Sequence, residues 1–173
     1  MDSYWTHGNV ASVQTGNANE NARIQSIERR GWGTVIHVET PSQGTFHRLW
    51  HDPYDFYVHL PLTNGVLLGD RRPTVRRVFA MWTANSRSVD IERVDVWDGA
   101  NLKATIRPTH DQVHSFDNDL SHWNRNLHPN VNQWEVNPQF PVQFGVGISI
   151  HFHVNHVEQG VDFTISAAGV DLE

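Results

Sequence analysis

Apolar residues in this chain recur mostly at every second position, the period of a β-strand with one face buried. Residues 34–40 alternate and are β-branched, and Phe46, Arg48 and Trp50 alternate with His47, Leu49 and His51. Residues 55–62 form another strand, with Pro61 marking an edge or a strand end because proline cannot donate to a ladder. Over residues 75–83 both faces are apolar, with Val75, Phe79 and Met81 on one and Val78, Ala80 and Trp82 on the other. Such a strand is central and covered on both sides. Over residues 89–96 the apolar phase changes between Ile91 and Val94, which predicts a β-bulge. Trp97-Asp-Gly-Ala100 then signals a turn into a strand over residues 102–106.

The last two strands, over residues 142–154 and 161–170, flank a six-residue polar segment and read as a hairpin with a medium loop. In the first, Ile148, Ile150, Phe152 and Val154 share one face; Ser149, His151, His153 and Asn155 share the other. Two stretches depart from the pattern. Residues 17–30 carry Ile24 and Ile27 at helical spacing, so a short helix competes there with a strand. Residues 107–140 are rich in Asn, Asp, His and Pro and predict one long irregular excursion. The expectation is a single all-β domain over residues 1–173: an antiparallel two-sheet β-sandwich, jelly-roll-like, with roughly seven to eight strands.

Composition narrows the function classes. At 38% hydrophobic and 18% charged residues the chain is neither disordered nor membrane-like. A net charge of -6 argues against a nucleic-acid partner, which needs a clustered basic face. The basic group Arg71, Arg72, Arg76 and Arg77 reads as a solvated turn entering a strand. The chain has no cysteine, which removes disulfides, thiolate nucleophiles and cysteine-based zinc sites. No signal-peptide pattern and no membrane-length apolar run is seen, so the expected location is cytoplasmic.

The chain carries 7 Trp and 12 His, and these excesses direct the search for chemistry. Indole and phenol rings stack on sugars and other ring-shaped ligands. The leading expectation is therefore a small soluble protein that binds a small molecule or glycan, with Trp50, Tyr54, His114 and Trp123 as the contact residues. The alternative is a metal-dependent enzyme or metal-binding protein. His151 and His153 lie at i and i+2 of a strand, about 6 to 7 Å apart on one face. His47 and His51 share a face in the same way, with His59, Asp52 and Asp55 as further donors. Such a set suits zinc, copper or iron.

The spacing from Gly145 through His151 and His153 to Glu158 resembles the first half of a cupin metal motif. Ile165 stands where its next glycine belongs, however, and the second half does not follow. A third reading is self-association into a homo-oligomer through the polar His faces. No catalytic signature is present: Gly147-Ile-Ser149-Ile-His151 lacks the second glycine of a nucleophile elbow, and there is no phosphate loop, dinucleotide fingerprint or HExxH.

Five segments, Trp5-Thr-His-Gly8, Arg77-Val-Phe79, Val96-Trp-Asp-Gly99, Phe144-Gly-Val-Gly-Ile-Ser149 and Ala167-Ala-Gly-Val-Asp171, span most of the chain in order. In these the chain resembles an uncharacterised family of small bacterial proteins of actinobacterial type. The resemblance implies a β-sandwich domain and brings no established activity or catalytic residues. The chain departs from that family in being longer and richer in His around residues 50–60 and 107–135.

Overall fold

Alternation of apolar and polar residues is carried through into two antiparallel sheets packed face to face. A computed structural model describes residues 2–15, 23–39, 54–62, 67, 70–85, 89–108, 132–154 and 161–173. Its strands are β1 (Asp2–His7), β2 (Ser12–Thr15), β3 (Arg23–Arg30), β4 (Gly33–Glu39), β5 (Tyr54–Pro61) and β6 (Thr74–Ala84). They continue with β7 (Val89–Asp98), β8 (Asn101–Ile106), β9 (Gln133–Pro141), β10 (Val146–Val154) and β11 (Val161–Leu172). One short 3-10 turn, Gly8–Val10, follows β1. Among the described residues no helix is long and apolar enough to cross a membrane.

Sheet A runs β3-β4-β11-β6-β9, with β1 also paired to β11; sheet B runs β2-β5-β10-β7-β8. Within these, β4-β11-β6-β9 faces β5-β10-β7-β8, which is the strand order and alternation of an eight-stranded jelly roll. β1, β2 and β3 extend it. The expected sandwich is therefore present, with eleven strands among the described residues in place of seven or eight.

The core lies between the sheets. Phe56 and Phe152 from sheet B meet Trp82 and Phe163 from sheet A, with Phe152 and Phe163 ring centroids 4.2 Å apart. Pairs of this kind add roughly 0.5–1.5 kcal/mol beyond the area they bury. β6 is central, as its two apolar faces require: Val78, Ala80 and Trp82 enter the core. Phe79 is buried on the opposite face beneath Trp5, at a centroid distance of 4.2 Å. Gly169 makes room for that pair, since a Cβ there would fall 2.1 Å from Phe79 Cε2. Gly8 is similarly pinned, its Cβ position lying 2.1 Å from the Ile165 carbonyl oxygen.

Two expectations are corrected, and one that left helix and strand open is decided for the strand. β10 and β11 do not form a hairpin: β10 pairs with β5 and β7, and β11 with β4, β6 and β1. Each of the two strands has one apolar face, and in a sandwich those faces meet across the core instead of side by side. The helical spacing of Ile24 and Ile27 is overridden, because Arg23–Arg30 pairs with β4 as a strand containing a register shift. The end of the polar excursion is also regular: β9 pairs with β6 and buries Trp134, Val136 and Phe140. Residues 109–131 lie outside the described residues, as do 40–53 with the strand expected around Trp50.

Candidate functional site

The bulge expected between Ile91 and Val94 is where the site is made. Against β10, Phe152 pairs with Ile91 and His151 with Arg93, so Glu92 is the extra residue. Ile91 stays in the core while Glu92 and Arg93 are both carried to the outer side of sheet B. Bulges re-aim side chains in this way. β10 is the middle strand of that sheet, and its outward row is Ser149, His151 and His153, opposite the buried row Ile148, Ile150, Phe152 and Val154.

β5 brings Asp55, Tyr57 and His59 alongside, directly opposite His153, His151 and Ser149. These side chains pack on one another. The Tyr57 ring stacks on His151 at 4.4 Å and 9°, and lies parallel to His59 at 6.2 Å. Arg93 reaches over Tyr57, 5.8 Å from its centroid, and its guanidinium pairs with Asp95 at 3.0 Å. Thr105 of β8 donates to Asp95 at 2.7 Å. His59 Nε2 donates to Gln14 Oε1 at 3.0 Å, which leaves Nδ1 to accept from the Ser149 hydroxyl at 2.8 Å. The outward side chains of Ser149 and His151 are buried, at 8% and 7% exposure.

His151 is the anomaly of the face. Glu92 Oε2 lies 2.9 Å from its Nδ1 and Asp55 Oδ1 3.6 Å from its Nε2. The first is an ion-pair contact and the second lies beyond hydrogen-bonding distance, and both ring nitrogens are buried without a hydrogen bond. Buried polar atoms are nearly always satisfied, so two orphans on one ring call for an explanation. Burial pushes the His151 pKa down and is the largest influence on it. Glu92 and Asp55 pull the other way, and Arg93 and His153 add to the lowering. Asp55 Oδ1 also accepts a hydrogen bond from His153 Nδ1 at 2.6 Å. Among the described residues, Asp55, Glu92 and His151 bring one potential ligand atom each to within 4.8 Å of one another.

The expected site residues are distributed as follows. His151 and His153 stand together on the outer face, joined through Asp55. Tyr54 is corrected: it is 1% exposed, packed in the core beside Phe56, and cannot stack on a ligand. Burial raises its pKa, against a smaller lowering from a backbone hydrogen bond with Ile24. Its strand alternates with Tyr54 in the inward phase, so Tyr57, three residues on, takes the outward position. Trp50, His114, Trp123, His47 and His51 lie outside the described residues, as does Glu158. Glu92 was missed although the phase change beside it pointed to the bulge.

No protein-family model and no curated protein matches the chain. Among solved structures it is similar to a carbohydrate-binding module in complex with β-1,4-galactotriose, at 14% identity and a TM-score of 0.35. That similarity covers 94% of this chain and 88% of the other. It is also similar to the enzymatically active domain of tailspike protein 4 of bacteriophage CBA120, at 15% identity and a TM-score of 0.35. There it covers 98% of this chain and 19% of the other.

Proposed function

We propose that this chain is a ligand-binding jelly-roll module whose binding surface is the outer face of sheet B. It takes small polar or polyhydroxylated molecules, glycans included. One observation carries the reading. The polar side chains of that face are packed and hydrogen-bonded into fixed positions with no covering element among the described residues. A solvated sheet face normally displays long, mobile side chains, whereas preorganised donors and acceptors reduce the entropy lost on binding. Gln14, His59, Arg93 and Thr105, exposed or half-buried on this face, supply donors and acceptors side by side, the arrangement that suits neighbouring hydroxyls.

Recognition on this face runs through hydrogen bonds more than through ring stacking, because one face of Tyr57 is already covered by His151. Membership of the uncharacterised bacterial family is proposed alongside. Its support is that the matching segments include the framework positions Gly8, Asp98 and Gly169.

The test is a screen of oligosaccharides and small polar metabolites in the presence of a chelator, followed by amide chemical shifts. The expected result is a set of shifts confined to residues 12–15, 55–61, 93–97 and 147–153, lost in Tyr57→Ala. A ligand whose shifts fall on β1, β6 and β11 would move the binding surface to the opposite sheet, and a screen without any shift would remove the glycan reading.

A further inference from the structure

We infer that Asp55, Glu92 and His151 form a binding site for one divalent transition-metal ion, of the zinc class, on the outer face of sheet B. The three donors come from three neighbouring strands, β5, β7 and β10, and converge because the bulge in β7 places Glu92 beside His151. Two independent observations point to a ligand there. The potential donor atoms lie within 4.8 Å of one another, and His151, more than nine-tenths buried, has no hydrogen bond to either nitrogen. Zinc–nitrogen and zinc–oxygen bonds of about 2.0–2.2 Å place ligand atoms of one ion roughly 3 to 4 Å apart, so small side-chain rotations close the set.

The donor chemistry selects the ion. An imidazole with two carboxylates suits zinc, cobalt, iron or manganese in the divalent state. Calcium and magnesium take oxygen ligands and leave an imidazole unused, and the chain has no thiolate for softer ions. His153 enters as a positioning residue: its Nδ1–H holds Asp55 Oδ1 at 2.6 Å, the outer-shell hydrogen bond that orients ligating carboxylates. The expected His151–His153 pair is thereby replaced. One of the two ligates, the other aims a carboxylate, and the remaining ligand comes from the bulge.

The site shares a face with the proposed ligand surface but does not depend on a glycan being the ligand. The two are separated by titrating tag-free protein with Zn²⁺ or Co²⁺ alone. Calorimetry is expected to give saturation near one equivalent, and bound Co²⁺ to give the visible absorption of inner-sphere coordination. His151→Gln and Glu92→Gln should each weaken binding by more than the roughly 10–100-fold that losing an outer-shell partner costs, and His153→Gln by an amount within that range. His37→Gln, on the opposite sheet beside Asp162, should leave binding unchanged.

Glu92 has a half-exposed side chain, so its variant tests the site even where a change at His151 disturbs folding. The inference is overturned by the absence of saturable binding near one equivalent. It is equally overturned by binding that keeps its wild-type strength in both Glu92→Gln and His151→Gln. Loss of metal binding with retained oligosaccharide shifts in chelator would leave the proposed function standing without the metal.

Discussion

Asp98 and His151 are both ionisable and both buried, one paired against β10 and the other within it, yet their surroundings are opposite. Asp98 is fully buried at the end of β7, where its carboxylate accepts backbone N–H groups from Gln143, Phe144 and Gly145 at 2.7 to 3.1 Å. Every lone-pair direction that matters is used, and the charge fastens the segment leading into β10 to the β7–β8 turn. His151 is nearly as buried and has two carboxylates within 3.6 Å, but no hydrogen bond. A satisfied buried charge is an architectural fastening, whereas a buried ring without a hydrogen bond costs roughly 1–3 kcal/mol unless its ion pairs or a bound group offset it.

The largest expected effect breaks the comparison on its architectural side. Asp98→Ala leaves three backbone N–H groups without their acceptor and should cost about 3–5 kcal/mol in denaturant-measured stability. Asp98→Asn, which retains one acceptor oxygen, should cost less. A loss below about 1 kcal/mol for the alanine variant would show that water replaces the carboxylate and that the fastening is incidental.

On the other side, metal should stabilise the protein only through His151. At a free zinc concentration a hundredfold above Kd the linkage is worth about 2.7 kcal/mol. For a chain of this size that corresponds to a rise of roughly 5 to 10 °C in Tm. His151→Gln should abolish the rise while Asp98→Asn, less stable from the outset, should keep it. An equal rise in both variants would place the metal elsewhere on this His-rich chain.

Without metal, His151→Phe sharpens the contrast further. The substitution removes both orphaned nitrogens and keeps a ring against Tyr57, so it should be neutral or raise stability by up to about 1 kcal/mol. The same kind of change, polar to apolar at a buried site, is thus expected to cost several kcal/mol at position 98 and no stability at position 151. A clear destabilisation by His151→Phe would mean that water or the two carboxylates satisfy the ring in solution.

How much of this could be read from the sequence depends on the distance over which each feature is determined. The bulge was legible because an apolar phase change is local: Ile91 and Val94 are three apart, an odd spacing that puts them on opposite faces of a regular strand. The outward row of β10 was legible for the same reason. The hairpin reading of β10 and β11 failed because alternation states which face is apolar and not whether the neighbour lies beside it or across the core. Tyr54 was misplaced because residue type, and not strand phase, was used to assign it to a ligand. The trio Asp55, Glu92 and His151 joins three strands far apart in the chain, and no periodicity announces such a meeting.

The smallest effect concerns His59, an intermediate case on the same face: a half-buried imidazole with both nitrogens engaged, by Ser149 and Gln14. Burial lowers its pKa from the ordinary value near 6.5. The unfolded chain therefore takes up a proton at a higher pH than the folded one does. Between the two values the unfolded state binds more protons, so stability rises with pH. The contribution of His59 is fully present above the ordinary histidine range and is lost as pH falls from there toward its depressed folded value. His59→Gln should flatten the slope of stability against pH as pH falls below the ordinary histidine value. An unchanged slope in that variant would show that the ring protonates in place, and that partnered and orphaned histidines on this face behave alike.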